Sequence, residues 1–110
     1  MKERRRYPRY ESALEVRYSA SKNASPADYT VSKDISKSGI RIPCFDFVKK
    51  GKTIYLDIDL KSGKPSFSTA ARVIWTRKFK RASPLKLEAG LEFTKTDLKE
   101  IESLINRVSL

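Results

Sequence analysis

Apolar and polar residues alternate along much of the chain, which is the pattern of half-buried β-strands. The clearest case is the segment 54–60, in which isoleucine and leucine alternate with tyrosine and aspartate. Successive side chains of a strand point to opposite faces, so this alternation predicts a strand with one buried and one solvated face. Similar segments recur between polar turns. The predicted strands are six: 14–18, 29–31, 40–42, 54–60, 67–79 and 85–93.

The apolar period lengthens at the end of the chain, and this change predicts a helix over about 96–108. The residues that share one face of this helix are Leu98, Ile101, Leu104, Ile105 and Val108. Six strands followed by one helix indicate an all-β fold. We expect a six-stranded antiparallel β-barrel with the helix packed against it. Gly90, inside the last strand, predicts a β-bulge at that position.

The chain divides into a basic arm and one folded domain. Residues 1–12 carry charges and two tyrosines without any apolar period, so we expect a flexible arm that packs little by itself. Residues 13–110 contain all the predicted elements. Their number suits one domain and is too small for two, so we expect a single β-barrel domain with its C-terminal helix.

Composition excludes several classes of protein. No segment approaches the roughly 20 apolar residues of a membrane-spanning helix. No apolar stretch follows the basic N-terminus, so we expect a cytoplasmic protein with neither a transmembrane segment nor a secretory signal. Cys44 is the only cysteine, and histidine is absent. A Cys/His zinc site and histidine-based catalysis are therefore excluded, and we expect no metal, no cofactor and no enzymatic activity.

The formal net charge of +11 favours an anionic partner. The first ten residues concentrate this charge, with one lysine and four arginines against the single acid Glu3. Guanidinium groups bind phosphate oxygens through paired hydrogen bonds, pair with the O6 and N7 atoms of guanine, and stack on bases. The expected partner is therefore a phosphorylated small molecule, a nucleic acid or an acidic membrane surface.

Two short motifs carry the functional prediction. The first is R-x-x-x-R, formed by Arg5 and Arg9; the segment 77–81 repeats this spacing, so the motif has little specificity alone. The second is D-x-S-x-x-G at 34–39, which arises far less often by chance. The two motifs follow each other closely, with 24 residues between Arg9 and Asp34.

With these two motifs in this order, the chain resembles the PilZ domain family. Later segments fit the same family pattern, namely the Val-Ile-Trp segment at 73–75 and the Gly-Leu-Glu-Phe segment at 90–93. The resemblance extends from about Arg4 to Val108. It implies a small β-barrel that binds the bacterial second messenger cyclic di-GMP and catalyses no reaction.

The resemblance also implies a set of residues that bind cyclic di-GMP. The arginines would hold phosphates and guanines, and the aspartate would accept a guanine N–H or orient an arginine. The serine would donate or accept a hydrogen bond beside it, and the glycine would supply a positive φ or let the backbone approach the ligand closely. The implied residues are Arg4, Arg5, Arg9, Asp34, Ser36 and Gly39, with Arg6 and Trp75 as secondary candidates.

Two residues near these motifs receive a different prediction. Trp75 fits the hydrophobic core better than a stacking platform, because buried aromatic side chains dominate small cores. Arg41 follows the second motif and adds positive field there, with no predicted contact.

The basic arm predicts a mechanism in which the ligand orders the protein. An anionic ligand removes the repulsion among the arm's cations, and the arm then folds across the barrel face and changes the surface that an unidentified effector protein recognises. Two alternatives stay open. One is a basic barrel that binds single-stranded nucleic acid, which is less favoured because it leaves the second motif unexplained. The other is a PilZ-type adaptor that does not bind the nucleotide.

Overall fold

Eight antiparallel strands form a single curled sheet in this computed structural model of the protein. The structure describes residues 10–11, 13–22, 28–59, 66–80, 85–94, 99, 102–103 and 105. The strands are β1 (Tyr10–Glu11), β2 (Glu15–Ser19), β3 (Asp28–Val31), β4 (Asp34–Ile35), β5 (Gly39–Cys44), β6 (Thr53–Ile58), β7 (Phe67–Lys78) and β8 (Leu87–Phe93).

The sheet curls because one segment of chain bonds to strands far apart in its order. That order is β1-β4-β5-β8-β7-β6-β2-β3, so β3 and β4 lie toward opposite margins although they follow each other in sequence. Between them, the Ser32 N–H donates to the Leu14 carbonyl at 2.9 Å, and the Lys33 N–H donates to the Arg41 carbonyl at 2.9 Å. Two consecutive residues thus bond to the two ends of the sheet, and the result is an all-β half-barrel.

The core fills the concave side of the sheet with the inward residues of the alternating strands. Isoleucine, leucine and valine dominate it, as the strand pattern predicts. Tyr18 is also fully buried, and its ring stacks on Phe47 with centroids 5.7 Å apart. Its hydroxyl accepts a hydrogen bond from the Phe45 N–H at 3.1 Å. The largest fully buried aliphatic side chains are those of Val16, Ile35, Ile40, Ile42, Val48, Ile54, Leu56, Ile58 and Leu91.

The strand count differs from the predicted six. Each of the six predicted segments overlaps one strand, and the two additional strands, β1 and β4, have two residues each. Pairs this short leave no detectable alternation in a sequence, so only their pairing in space reveals them. Asp34, the first residue of the D-x-S-x-x-G motif, therefore lies in a strand, and the turn begins at Ser36.

The irregularity in the last pair of strands lies in β7 and not at Gly90. The register of β7 against β8 shifts between Val73 and Trp75, so Ile74 is the extra residue of a bulge. The prediction of a bulge at Gly90 is wrong. Gly90 lies instead directly opposite Trp75 in the shifted register, at a regular position of β8.

The C-terminal segment is anchored on the sheet at two described residues. Ile105 is buried in the core, and Glu102 forms an ion pair with Lys37 in the turn after β4, at 3.3 Å. Most of the predicted helix at 96–108 lies outside the described residues, so its bounds stay a prediction. Within the described part of the chain, no helix has the length and apolar character needed to cross a membrane.

Candidate functional site

The end of the basic arm is paired directly with the second motif. β1 pairs with β4 in the register Glu11 opposite Asp34 and Tyr10 opposite Ile35. β1 therefore begins at Tyr10, which lies opposite Ile35, the residue before Ser36. This pairing brings the start of the folded sheet to the D-x-S-x-x-G segment. The four candidate arginines of the arm, Arg4, Arg5, Arg6 and Arg9, lie outside the described residues.

Ser36 is used to build the turn between β4 and β5. Its N–H donates to the Gly39 carbonyl at 2.8 Å, closing a four-residue turn. Its hydroxyl oxygen accepts the N–H groups of Ser38 and Gly39, at 3.2 and 3.3 Å, and lies 3.1 Å from the Ser38 hydroxyl. The side chain is almost fully buried. These bonds fix the shape of the turn, as serine does in many turns.

Gly39 is required by the neighbouring strand. A Cβ atom at this position would lie 2.0 Å from the carbonyl oxygen of Leu91 in β8. The place that a Cβ would take at Gly39 is therefore filled by backbone of β8, and the approach to a ligand that the resemblance implies stays a prediction. The predicted positive φ is also absent here; among the described glycines, Gly51 has one, at 88°. Gly39 shapes the site by letting β5 and β8 come together.

A row of residues crosses four strands on the outer face of the sheet. The registers place Asp34 of β4 opposite Arg41 of β5, Arg41 opposite Gly90 of β8, and Gly90 opposite Trp75 of β7. Residues directly opposite each other in antiparallel strands share a face. Their sequence neighbours, such as Ile40, are buried on the inner side. We call this row, from Asp34 to Trp75, the outer-face row.

Arg41 links Asp34 of this row to Glu88 of β8, which lies outside the row. One terminal nitrogen lies 2.7 Å from the Asp34 carboxylate, and the other lies 3.4 Å from the Glu88 carboxylate. Arg77 approaches Glu88 from the other side at 3.0 Å. Both carboxylates are largely buried, and buried charges are retained only when they are paired. The network therefore holds the Asp34 carboxylate in a fixed orientation.

The contacts of Arg41 and the role of Glu88 are not predicted by any pattern in the sequence. The alternation of Arg41 with Ile40 and Ile42 does place it on the outer face. Its acidic partners are invisible in the sequence, because Glu88 is 47 residues away from Arg41. Arg77 lies in β7, inside the predicted strand 67–79, and its contact with Glu88 is not predicted by the sequence; most of its side chain is exposed.

Trp75 lies over Gly90 on the outer face. A Cβ atom at Gly90 would be 2.2 Å from the indole Nε1 and 2.4 Å from Cε2, so the absence of a side chain makes room for the ring. Trp75 is half-buried and does not belong to the core cluster. The expectation of a core tryptophan is therefore wrong: the bulge at Ile74 turns the next residue outward, onto the glycine.

The outer-face row combines three kinds of chemistry. It presents an oriented carboxylate that accepts N–H donors, a guanidinium that binds anions, and an aromatic ring with a partly exposed surface. Among the described residues, no group of side chains is arranged to hold a metal ion. Such a surface suits a planar heterocycle that carries both hydrogen-bond donors and phosphate.

The chain matches the sequence model of one protein family over almost its whole length. The model described as PilZ domain matches residues 3–109, almost the entire chain. The protein is a member of the PilZ domain family. No sequence among the curated proteins matches the chain.

Several solved structures share the fold of this PilZ domain. The Bacillus subtilis inhibitor of motility MotI/DgrA superposes with a TM-score of 0.76 at 21% identity, over 98% of this chain and 51% of that one. The PilZ domain of Escherichia coli YcgR with c-di-GMP gives 0.70 at 12% identity, over 97% and 90%. The Klebsiella MrkH–c-di-GMP complex gives 0.65 at 17% identity, over 98% and 50%. The chain thus spans about half the length of MotI and MrkH. Identities this low show the fold alone.

Proposed function

We propose that this PilZ domain binds cyclic di-GMP between its basic arm and the outer-face row. The observation that carries the proposal is the pairing of β1 with β4, which joins the arm to the sheet directly beside Asp34. Arg9 is the residue before Tyr10 in the sequence, so chain connectivity keeps the R-x-x-x-R motif within reach of the turn at 36–39. The structures of YcgR and MrkH with c-di-GMP support the same ligand.

Each part of the site has a proposed role. Arg5 and Arg9 bind the phosphates and guanine O6 and N7, with Arg4 and Arg6 supplying further guanidinium groups. Asp34, held by Arg41, accepts N–H donors of a guanine. Trp75 offers its exposed ring face to a base. Ser36 and Gly39 contribute through the shape of the turn and the close packing of β5 on β8, which places Asp34 at the correct position.

We further propose that the ligand orders the arm. Fixing a residue costs roughly 1–2 kcal/mol of conformational entropy. Hydrogen bonds to charged groups contribute about 1.5–3 kcal/mol each, so a handful of arginine contacts offsets the cost of a short arm. The change of surface is then transmitted to an effector protein. In this account the domain is a receptor and adaptor of the bacterial cytoplasm, without catalytic activity.

The proposal is tested by calorimetric titration of the intact chain with cyclic di-GMP, cyclic di-AMP and GTP. We expect saturable binding of cyclic di-GMP and weak competition by the other two, because only cyclic di-GMP offers two guanines and two phosphates in one ring. Equal affinity for all three would show a non-selective anion surface. Binding of single-stranded nucleic acid with a steep salt dependence, and none of cyclic di-GMP, would favour a nucleic-acid function.

A further inference from the structure

Strand β7 extends well beyond the strand that covers one of its edges. β7 has 12 residues and β6 has six, and their pairing runs from Ile58 opposite Phe67 to Thr53 opposite Arg72. Two more bonds end this ladder: the Gly51 N–H donates to the Val73 carbonyl at 2.8 Å, and the Val73 N–H donates to the Lys52 carbonyl at 2.9 Å. Beyond Val73, no strand within the described residues pairs with this side of β7.

The backbone groups exposed along this side follow from the pairing on the other side. The Phe79 N–H donates to the Lys86 carbonyl at 3.1 Å, toward β8. Because bonding directions alternate along an antiparallel strand, Arg77 also bonds toward β8, whereas Thr76 and Lys78 direct their N–H and C=O groups away from it. We call residues 74–78 the β7 edge. It is a short row of backbone donors and acceptors able to pair with one more strand.

The side chains around the β7 edge are basic, with one apolar residue at its head. Ile74, the bulged residue, is 40% exposed. The turn that precedes β6 lies at the same point, because Gly51 and Lys52 bond to Val73. Neither the segment 49–53 nor the segment 72–80 contains an acidic residue. Arg77 is already paired with Glu88, and the other exposed cations of these two segments are Lys49, Lys50, Lys52, Arg72, Lys78 and Lys80.

We propose that the β7 edge binds an extended acidic segment of a partner protein, which adds a strand to the sheet. Main-chain hydrogen bonds at Thr76 and Lys78 provide the pairing, and an apolar residue of the partner packs on Ile74. The surrounding cations select acidic side chains on the added strand. The same cations disfavour a second copy of this chain as the occupant, because its own edge carries the same positive charge. This surface goes beyond the ligand site and needs no bound nucleotide.

The test uses the 15N-labelled full chain and a blocked hexapeptide of alternating glutamate and valine. We expect saturable amide shifts that are largest at Thr76 and Lys78. The same peptide with alternate amides N-methylated keeps its charge but cannot pair, and we expect it to bind about tenfold more weakly or worse. Absence of saturable shifts at peptide concentrations on the order of 1 mM would overturn the proposal.

Two variants separate edge pairing from simple attraction between charges. Thr76→Pro removes the N–H that points away from β8 and leaves the hydrogen bonds to β8 intact. It should therefore abolish peptide binding. Thr76→Val keeps the N–H and should bind like the wild type. The thermal midpoint of both variants reports whether the fold is retained. If Thr76→Pro is folded and still binds the peptide with wild-type affinity, edge pairing is refuted.

A hexathymidylate titration distinguishes the rival partner class. Tighter binding of this oligonucleotide than of the peptide, with shifts at the same amides, would assign the surface to nucleic acid and overturn the proposal. Cyclic di-GMP binding is measured separately in the same samples. Failure of the peptide to bind therefore leaves the ligand site standing, and failure of the nucleotide to bind leaves the β7 edge standing.

Discussion

Gly39 and Gly90, next to the site, each leave room for a different neighbouring group. At Gly90 an added Cβ meets the Trp75 indole, which is a side chain that can move. At Gly39 it meets the backbone carbonyl of Leu91, which cannot move without opening the sheet between β5 and β8. A side chain at Gly39 should therefore destabilise the fold more than a side chain at Gly90.

We expect Gly90→Ala to displace the indole at a cost of about 1–3 kcal/mol in the free energy of unfolding, with a shift in tryptophan fluorescence. Gly39→Ala should cost more and leave the fluorescence of any folded fraction unchanged. Denaturant unfolding and emission spectra check both. If Trp75→Ala fails to relieve the cost of Gly90→Ala in the double variant, the indole is not the cause.

Two buried groups that lose a proton at high pH, the Cys44 thiol and the Tyr18 hydroxyl, make the free energy of unfolding depend on pH. Burial raises the pKa of the Cys44 thiol from 9.0 to about 12, with a smaller repulsion from Glu88. Burial likewise raises the pKa of Tyr18 from 10.0 to about 12, although its bond from the Phe45 N–H lowers it somewhat. In both cases the unfolded chain ionises first. Stability is therefore fully present below about pH 9 and declines as the pH rises toward about 12.

For Cys44 alone, the free energy of unfolding should fall by about 1 kcal/mol between about pH 9 and about pH 10. Cys44→Ala should remove this part of the decline and keep the later part from Tyr18. Denaturant unfolding across this pH range measures it. The same burial should leave the native thiol unreactive toward a disulfide reagent at neutral pH; rapid modification would contradict the buried position.

At the residue scale, the sequence identifies several important positions but not their partners. The spacing of Asp34, Ser36 and Gly39 is visible, yet the serine bonds to its own turn and the glycine accommodates β8. A local motif reports which residue types a backbone requires. It cannot report what lies across the sheet, because those neighbours are set by the pairing of distant strands.

The Asp34–Arg41–Glu88 network links strands β4, β5 and β8, and it should matter more than the ion pairs on the sheet surface. Arg41→Met leaves the Asp34 carboxylate without this partner and weakens the neutralisation of Glu88. We expect a loss of about 1–3 kcal/mol in the free energy of unfolding, less than for a fully buried pair because Arg41 is partly exposed.

Arg17→Met is the matched control for this prediction. Arg17 approaches Asp57 at 3.7 Å, and both side chains are well exposed. Its loss should cost about 0–1 kcal/mol. If both substitutions lower the free energy of unfolding equally in denaturant unfolding, the Asp34–Arg41–Glu88 network stabilises the fold no more than a surface ion pair does.

At the element scale, long strands are easier to predict than short ones. The segment 54–60 has seven alternating residues and contains most of β6, and 67–79 contains β7. β1 and β4 have two residues each, too few for a period, yet their pairing connects the arm to the site. The bulge at Ile74 also leaves no signal in the sequence, and it is the reason that Trp75 faces outward.

At the scale of the whole molecule, the curl of the sheet gives the site its position. The bonds from Ser32 and Lys33 to the two ends of the sheet bring β4 next to β5, and β1 then pairs on β4. The two residues that follow the first motif, Tyr10 and Glu11, are thereby paired with the start of the second motif. The family resemblance in the sequence predicts that the two motifs bind one ligand, and this stays a prediction. The closure that brings β1 to β4 depends on contacts between distant strands, which the sequence does not reveal.

We propose above that the arm and the outer-face row bind one ligand together. The most direct test compares the affinities of the wild type, Arg9→Ala and Arg17→Ala for cyclic di-GMP by calorimetry. We predict saturable binding to the wild type, a loss of about tenfold or more for Arg9→Ala, and no change for Arg17→Ala on the distant strand β2. Identical affinities for all three folded proteins, or no binding to the wild type at high micromolar concentration, would contradict the account.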